Sequence, residues 1–383
     1  MPSHKGGRAL WPIGDPMLLR RYPIFNRRLA LVAYGIDYQL SSPAEWPSLA
    51  QHCRLLAQGR QYLVPFTHEQ LDEQRPMLLD QDAIPLVEAS SERQPNSFPV
   101  LEQWRDSRRR LAVHGAHRDA RWLGASRLLV YWMGEEGICQ PTEHKRMALN
   151  IETWADFLPL REAGVDFFAG GFLARPELVN QRANQPDMAL VQQILQLICH
   201  EEFSFAQVAR LLEQDAWLPG LLLTYVNAPG FDHAAPITSV PRALSYLGEQ
   251  EIRKFVLING LARVSQHMPE ACTRMAIARG RFCELIALTA LGKTEASWAF
   301  LVGLVLDGSL LSEPLMAHLP KSVQRAIELH EGPLFHLFQL VSTYEQGNWA
   351  LLEQLAPKYQ LDPAQLTPVY FQSQMWGQAF LTS

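Results

Sequence analysis

The sequence has few cysteines, no excess of basic residues and no long hydrophobic run. Its five cysteines are scattered over 383 residues, which excludes a disulfide framework and a zinc cluster. The 34 Lys and Arg against 39 Asp and Glu give a formal charge of −5, which argues against a broad nucleic-acid-binding face. The longest largely apolar run, residues 296–306, is too short for a membrane span, and residues 1–16 lack a signal-peptide core. We therefore expect a cytoplasmic protein without membrane insertion or nucleic-acid partners.

Recognisable catalytic motifs are also lacking. The sequence has no glycine-rich phosphate loop, no nucleophile elbow and no helix-borne metal motif. Histidines of the first half are dispersed, and structural or surface roles are expected for most of them. His114 and His117 follow a predicted strand, which is where barrel enzymes place their active sites.

The first half of the chain is typical of an α/β layer or barrel. With 48% hydrophobic residues, a chain of this length predicts two compact domains. Between Arg21 and Pro176, short runs rich in β-favouring residues alternate with segments long enough for a helix. The first two runs are separated by only three polar residues, which predicts a hairpin instead of a crossover.

The second half is predicted to be all-helical, because apolar residues recur there at three- and four-residue steps. Ser204, Ser239 and Thr294 stand where side chains would cap helix starts. The polar, proline-interrupted stretch near Asn184 is the expected linker. The predicted order is an N-terminal tail (1–16), a barrel (17–178), a linker (179–187) and a helical domain (188–383).

The helical half resembles the HDOD domain, an output module of bacterial signalling proteins. Residues 203–262 carry the likeness, and the signature positions are Asp215, Asn227, Pro236, Thr238, Ser239 and Gly248. Later segments resemble the continuation seen where HDOD follows an EAL-type domain. Asn227 is expected to close a turn through side-chain hydrogen bonds to the backbone rather than to touch a ligand.

HDOD domains are similar to HD phosphohydrolases, which bind metal through a histidine, a His-Asp pair and a further aspartate. The resemblance places Leu306 at the position of the paired histidine and leaves only Asp307. One carboxylate does not hold a catalytic metal, so no metal is expected here. His330 and Glu331 form a further speculative ligand pair, for which a helix-end histidine is the alternative interpretation.

With the HDOD likeness in place, the first half resembles an EAL domain, the barrel that hydrolyses cyclic di-GMP. The opening segment RYPIFNRRLALVAYGIDYQ and the closing segment EAGVDFFAGGFLARP, residues 162–176, carry this likeness. The implied fold is a shortened, degenerate, TIM-like barrel, because complete eightfold barrels take about 250 residues. Some barrel helices should therefore be missing, and the helical domain or a second copy of the chain is expected to cover the exposed surface.

EAL catalysis requires two divalent cations held by carboxylates at strand ends. The resemblance places the family's functional positions on residues that mostly cannot serve: Gly35, Gln39, Pro65, Pro85, His114, Gly115, Val130, Leu149 and Ala169. Glu88 and Glu152 are the retained acids. We therefore expect no catalytic residues, no metal and no cofactor.

Three functions are consistent with these observations. The first is an inactive signalling protein that works through contacts with other signalling proteins, with a homodimer as an option. The second is a receptor that captures cyclic di-GMP or a related nucleotide without cleaving it, using mouth residues such as His117 and Arg118 with Arg27 and Arg28 nearby. The third is residual hydrolysis by the helical half.

Overall fold

The computed structural model describes residues 17–73, 75–89, 110–115, 123–124, 126–173, 193–194, 197, 204–216, 218–227, 235–264, 269–306 and 319–379. Within these ranges, no helix is both long and apolar enough to cross a membrane. The chain divides into two compact units, one made of residues 1–171 and 343–371 and the other of residues 172–342 and 372–383. We call them the barrel unit and the helical unit.

The barrel unit contains eight strands that close into a barrel in chain order. They are β1 (Met17–Asn26), β2 (Leu31–Leu40), β3 (Gln61–Phe66), β4 (Ala83–Glu88), β5 (Ala112–His114), β6 (Leu128–Trp132), β7 (Lys145–Leu149) and β8 (Phe167–Phe168). Strand β1 runs antiparallel to β2 and β8, and the other neighbours are parallel. The predicted barrel and opening hairpin are both confirmed.

Apolar side chains fill the barrel. Ile24, Ala33, Leu63, Ala112 and Met147, from five different strands, belong to one packed cluster. Because side chains alternate between the two faces of a strand, residues two positions away on each strand point to the same interior. The barrel interior is therefore a hydrophobic core and not a channel.

Helices connect several of the barrel strands in the described part of the chain. Helix α1 (Trp46–Ala57) follows β2, α2 (His68–Asp72) follows β3 and α3 (Trp154–Glu162) follows β7. Between β6 and β7, residues 133–144 form turns without a helix. The buried guanidinium of Arg146 anchors this loop by donating to the carbonyl oxygens of Ile138 at 2.8 Å and Gln140 at 2.9 Å, and it reaches the Ala163 oxygen at 3.0 Å.

A distant segment, residues 343–371, packs on the outside of β1. The Tyr344 hydroxyl donates to the Leu19 carbonyl at 2.8 Å, and the Thr367 hydroxyl donates to the Met17 carbonyl at 2.6 Å. The backbone N–H of Arg21 donates to the Tyr370 hydroxyl at 3.1 Å. The predicted division placed all of 188–383 in the helical domain, whereas the structure assigns this segment to the barrel unit.

The remaining described elements are helical, as predicted. The helices are α4 (Phe205–Leu212), α5 (Leu218–Val226), α6 (Val240–Val264), α7 (Glu270–Ala290), α8 (Lys293–Val305), α9 (Lys321–Gln324), α10 (Pro333–Gln346), α11 (Trp349–Leu355) and α12 (Pro363–Ala379), and the π-helical turn Arg325–Leu329 continues α9. Ser204 caps α4 as predicted. Thr294 does not cap α8, because that helix already begins at Lys293 after Gly292.

Helices α7 and α8 cross at glycines. A Cβ atom added to Gly303 would lie 2.7 Å from the Cys283 sulfur and 3.0 Å from the Gly280 Cα atom. A Cβ atom on Gly280 would lie 2.9 Å from the Phe300 carbonyl oxygen. The missing side chains allow the two helices to approach closely, and the buried rings of Phe282 and Phe300 fill the surrounding space.

Candidate functional site

The candidate site is the end of the barrel where the parallel strands finish, which we call the barrel mouth. Barrel enzymes place their reacting groups on the loops at this end. Of the positions implied by the resemblance, Glu88, His114 and Leu149 are the last residues of β4, β5 and β7. These three positions therefore lie at one end of the fold, although only Glu88 carries a carboxylate.

Tyr22 occupies the space in front of Gly35, the position of the family's signature glutamate. The two residues face each other in the β1–β2 ladder. A Cβ atom on Gly35 would lie 1.9 Å from Cζ and 2.4 Å from the hydroxyl oxygen of Tyr22. Any side chain at residue 35 would therefore require the tyrosine ring to move. Burial, together with the nearby Asp37 carboxylate, raises the pKa of the Tyr22 hydroxyl well above its usual value, so this group stays neutral.

An ion pair closes the neighbouring part of the mouth. Arg20 and Asp37 are also paired in the ladder, and their side chains form a salt bridge. The Arg20 guanidinium lies 5.2 Å from the centre of the Tyr22 ring. At the position of the family's phosphate-contacting arginine, the Gln39 amide donates to the Glu353 carboxylate at 3.3 Å. Arg20 is therefore already neutralised by Asp37.

His114 is held by a carboxylate that the sequence did not single out. Its Nε2 atom lies 2.8 Å and 3.1 Å from the two carboxylate oxygens of Glu135, and Oε2 of Glu135 also accepts from the backbone N–H of Trp132 at 3.0 Å. The Trp132 ring meets the His114 ring edge-on at 5.8 Å. Glu135 lies three residues beyond β6, in a loop with no motif, so only the fold reveals the pair.

The remaining family positions are structural. Val130, Leu149 and Ala169 belong to the packed barrel core. The carbonyl of Pro65 accepts a hydrogen bond from the Tyr38 hydroxyl at 2.8 Å. Pro85 lies between Ile84 and Leu86 of that same core cluster, so strand alternation places it on the opposite face.

The two retained acids are exposed. Glu88 ends β4 opposite His114 in the ladder, and Glu152 follows β7. A Glu152 carboxylate oxygen lies 2.8 Å from the position that a Cβ atom on Gly171 would take. Gly115, next to His114, has a φ of +74°, a left-handed conformation that favours glycine. Neither acid is brought against a second carboxylate of the family pattern.

The two cations that the EAL resemblance implies do not fit these side chains. Within the described ranges, no group of three or more His, Cys, Asp and Glu side chains is arranged to hold a metal ion. Each ion of a two-metal centre needs several converging oxygen ligands, whereas the pattern positions around Tyr22 carry Gly35, Pro65 and Leu149. The described side chains of the mouth therefore do not support a reaction at a two-metal centre.

Of the basic residues proposed near the mouth, the two described arginines do not lie there. Arg27 and Arg28 lie in the β1–β2 turn, at the opposite end of the barrel. Arg27 donates to the Val165 carbonyl at 2.8 Å. His117 and Arg118 lie outside the described residues.

In the helical unit, the HDOD signature residues are structural. The buried Asp215 carboxylate accepts from the Leu218 N–H at 2.8 Å, at the start of α5. The Asn227 amide donates to the Leu223 and Ile237 carbonyls at 2.7 Å and 2.8 Å, and its oxygen accepts from the Ile237 N–H at 2.9 Å. The prediction that Asn227 closes a turn is confirmed.

The remaining signature positions shape the start of α6. Pro236 and Thr238 are exposed in the segment before it, and the carbonyl of Ser239 accepts from the Ala243 N–H at 2.9 Å. Gly248 adopts a φ of 74° and a ψ of 169°, which kinks α6. The chain is helical on both sides of this kink.

The described speculative ligands of the helical half make local contacts. Leu306 is the C-cap residue that follows α8, and Asp307 lies outside the described residues. His330 takes the left-handed conformation that ends the π-helical turn, as a helix-end histidine would. The exposed Glu331 carboxylate pairs with Arg325 at 3.0 Å.

A buried ionic network in the helical unit escaped sequence analysis. The Lys254 ammonium contacts the Glu251 carboxylate at 2.6 Å and also pairs with Glu284, which pairs with Arg281 at 2.6 Å. The Tyr225 hydroxyl donates to Glu251 at 2.8 Å. Burial alone would raise the pKa of Glu251, but Lys254 and these hydrogen bonds outweigh it and lower the pKa. Two cations and two anions balance, so the network ties α5, α6 and α7 together without leaving a net charge for a ligand.

Comparison with known proteins supports the assignment of the helical part. The family model "HDOD domain" matches residues 185–338. The chain contains an HDOD domain. This confirms the resemblance drawn from the signature residues around Asp215 and Asn227.

Two curated relatives match about three fifths of the chain. The chain is 31% identical over 247 residues to the "Cyclic di-GMP phosphodiesterase CdgJ" of Vibrio cholerae, which covers 63% of this chain and 57% of that protein. It is 22% identical over 238 residues to the "Uncharacterized protein YuxH" of Bacillus subtilis, covering 60% of this chain and 58% of that protein. The matches therefore span less than two thirds of either relative.

Solved structures of EAL proteins are among the similar folds. An EAL domain protein from Listeria monocytogenes EGD-e is 10% identical, with a TM-score of 0.33, over 40% of this chain and 86% of that chain. The Klebsiella pneumoniae BlrP1 complex with calcium and cyclic di-GMP is 12% identical, with a TM-score of 0.34, over 44% of this chain and 56% of that chain. Similarities of this size do not show a shared activity.

Proposed function

We propose that the chain is a catalytically inactive signalling protein, related to cyclic di-GMP signalling proteins, that acts through contacts with other proteins. The barrel unit is a degenerate EAL domain fused to the HDOD domain. The observation that carries the proposal is the Tyr22 ring, which fills the space where the signature glutamate would extend from residue 35. A carboxylate cannot enter that space without displacing a partly buried ring.

The charges around the mouth support the same conclusion. Arg20 is neutralised by Asp37, and His114 is engaged by Glu135. A phosphodiester with two phosphates would meet these satisfied groups and the exposed acids Glu88 and Glu152. Without metal ions to neutralise its phosphates, such a ligand would be repelled by the exposed acids.

The name of one relative points in the other direction. CdgJ is described as a phosphodiesterase, but its activity belongs to that protein, and the match leaves more than two fifths of it outside the alignment. Cyclic di-GMP hydrolysis should therefore be measured directly on the full chain with Mg²⁺ and with Mn²⁺. We expect no turnover above background, whereas turnover of roughly 1 s⁻¹ or faster would overturn the proposal.

A matched variant distinguishes turnover by this protein from turnover by a contaminating hydrolase. His114→Ala removes the histidine that ends β5 at the mouth and is purified in the same way. Slow turnover that is equal in both preparations would come from a contaminating hydrolase. Turnover that disappears in His114→Ala would instead locate a genuine activity at the mouth.

A non-hydrolysing nucleotide receptor is the second candidate, and the relation to a cyclic di-GMP phosphodiesterase is what favours it. Isothermal titration of the full chain with cyclic di-GMP, with and without Mg²⁺, tests it. Micromolar binding that is lost in His117→Ala or Arg118→Ala would support a receptor. No heat of binding at those concentrations would leave the protein-contact proposal.

A further inference from the structure

The barrel mouth combines exposed apolar side chains with acids. Trp132, the last residue of β6, is 42% exposed, and Met133 next to it is 38% exposed. Large aromatic and methionine side chains on a surface are typical of binding sites for other proteins. We call this pair the apolar step.

The apolar step is held rigidly. The Glu135 carboxylate accepts from the Trp132 N–H at 3.0 Å, and the Met133 N–H donates to the Leu149 carbonyl at 3.0 Å. The His114 ring supports the edge of the Trp132 ring at 5.8 Å. A preorganised aromatic side chain loses little conformational entropy when a partner covers it, which makes it a suitable anchor.

The described rim around the apolar step is acidic. The exposed acids Glu88, at the end of β4, Glu136, after β6, and Glu152, after β7, lie at the same end of the barrel. Neighbouring strands are about 4.8 Å apart, so Glu88 and β6 are separated by about 10 Å. The described segments that follow β4 to β7 (residues 89, 115, 133–144 and 150–153) contain no lysine or arginine.

We propose that the barrel mouth is a docking surface for a cationic polypeptide segment that inserts an apolar residue against Trp132 and Met133. This deepens the proposed function, on which it rests, by naming the chemistry of the partner at the mouth. Acidic side chains around an aromatic anchor match a Lys- or Arg-rich segment by charge complementarity, which speeds association and selects the partner.

The probe for this proposal is a fluorescein-labelled peptide of alternating lysine and leucine, with a glutamate–leucine peptide of the same length as its counterpart. Fluorescence anisotropy of each peptide is titrated with the full chain at low and at high NaCl. We expect the lysine peptide to bind and the glutamate peptide not to bind. Salt should weaken the binding because these charges are exposed.

Variants locate the binding. The affinity for the lysine peptide should fall by about tenfold or more in the double variant Glu88→Lys with Glu136→Lys, and also in Trp132→Ser. The control for the double variant is Asp82→Lys with Glu162→Lys, and the control for Trp132→Ser is Leu78→Ser. These controls replace exposed acids or an exposed apolar residue outside the mouth. These controls should leave the affinity unchanged. Circular dichroism of every variant verifies that it is folded.

Three results would overturn the proposal: equal weakening by mouth and control variants, no binding of the lysine peptide, or preference for the glutamate peptide. Displacement by Mg²⁺ but not by NaCl of equal ionic strength would also overturn it, in favour of a cation site. These outcomes are independent of the hydrolysis assay. An inactive protein that fails to bind the peptide would disprove the docking surface alone, whereas hydrolysis would disprove the proposed function.

Discussion

The Tyr22 ring and Gly35 face each other across the β1–β2 ladder at a distance that leaves no room for a side chain on residue 35. The two residues therefore depend on each other. The glycine allows the ring to enter the barrel core, where Tyr22 packs against the apolar cluster. The ring in turn fills the volume that a ligand-binding barrel would leave open.

This dependence predicts a strong coupling between the two positions. Gly35→Ala should destabilise the barrel unit by about 1–3 kcal/mol, because the added methyl group overlaps the ring. In a Tyr22→Ala background the same change should cost little, since only the ring atoms are in the way. Hydrogen exchange of the β1 and β2 amides measures the four members of the cycle, and additive effects would contradict the overlap.

A second prediction concerns Arg146, whose hydrogen bonds hold the helix-free loop between β6 and β7. Arg146→Met should destabilise the barrel unit by about 2–4 kcal/mol, because it leaves the carbonyls of Ile138, Gln140 and Ala163 without this donor. Arg127→Met is the control, since Arg127 is exposed. Thermal unfolding compares the two variants, and equal melting temperatures would show that the loop is held by other contacts.

A third prediction compares alanine substitutions at two helical glycines. Gly303→Ala should destabilise the helical unit by about 1–3 kcal/mol, because its methyl group would meet the Cys283 sulfur. Gly220→Ala should be neutral or stabilising by up to about 1 kcal/mol, because no atom lies within 4 Å of the added carbon and alanine favours the helix. Denaturant unfolding distinguishes them. The same sign for both would contradict the close approach of α7 and α8.

A fourth prediction is a loss of stability in mild acid. Burial lowers the pKa of His52 despite an opposing hydrogen bond with the Ser48 backbone, and its ring lies 5.1 Å from that of Phe371. The unfolded chain therefore binds this proton more readily than the folded chain, and stability falls as the pH drops below about 6.5.

His52→Gln removes the titrating group from this contact. We expect it to flatten the dependence of the unfolding free energy on pH between about pH 7 and about pH 5. Hydrogen exchange of the α1 amides at each pH measures the effect. An unchanged slope in the variant would show that His52 does not carry it.

The periodicity of the sequence predicted the architecture well. Short β-rich runs separated by helix-length segments predict an α/β layer or barrel, and three- to four-residue spacing predicts helices, because each pattern buries one face of its element. The EAL resemblance then selected the barrel. Local chemistry was predictable for the same reason. Asn227 and His330 both act on nearby backbone, from four to ten positions away for Asn227 and at its own helix end for His330.

Long-range partners were not predictable. The Tyr22–Gly35 contact depends on strand register, and Glu135 reaches His114 from a loop of variable geometry. The charged residues Glu251 and Lys254 look like a solvated helix face in the sequence, yet Lys254 is buried. An amphipathic pattern shows that a helix has a buried face but does not name the surface that covers it, which is why the contact of residues 343–371 with β1 was not predicted.

The hydroxyl of Tyr344 reaches the carbonyl of Leu19 across 325 positions of the chain. During synthesis, the first strand emerges from the ribosome long before the residues that complete its outer surface. Strand β1 therefore stays incompletely covered while the whole HDOD domain is translated. Such a delay favours binding by chaperones and makes a chain that stops before residue 343 prone to aggregate, even though its HDOD match is intact.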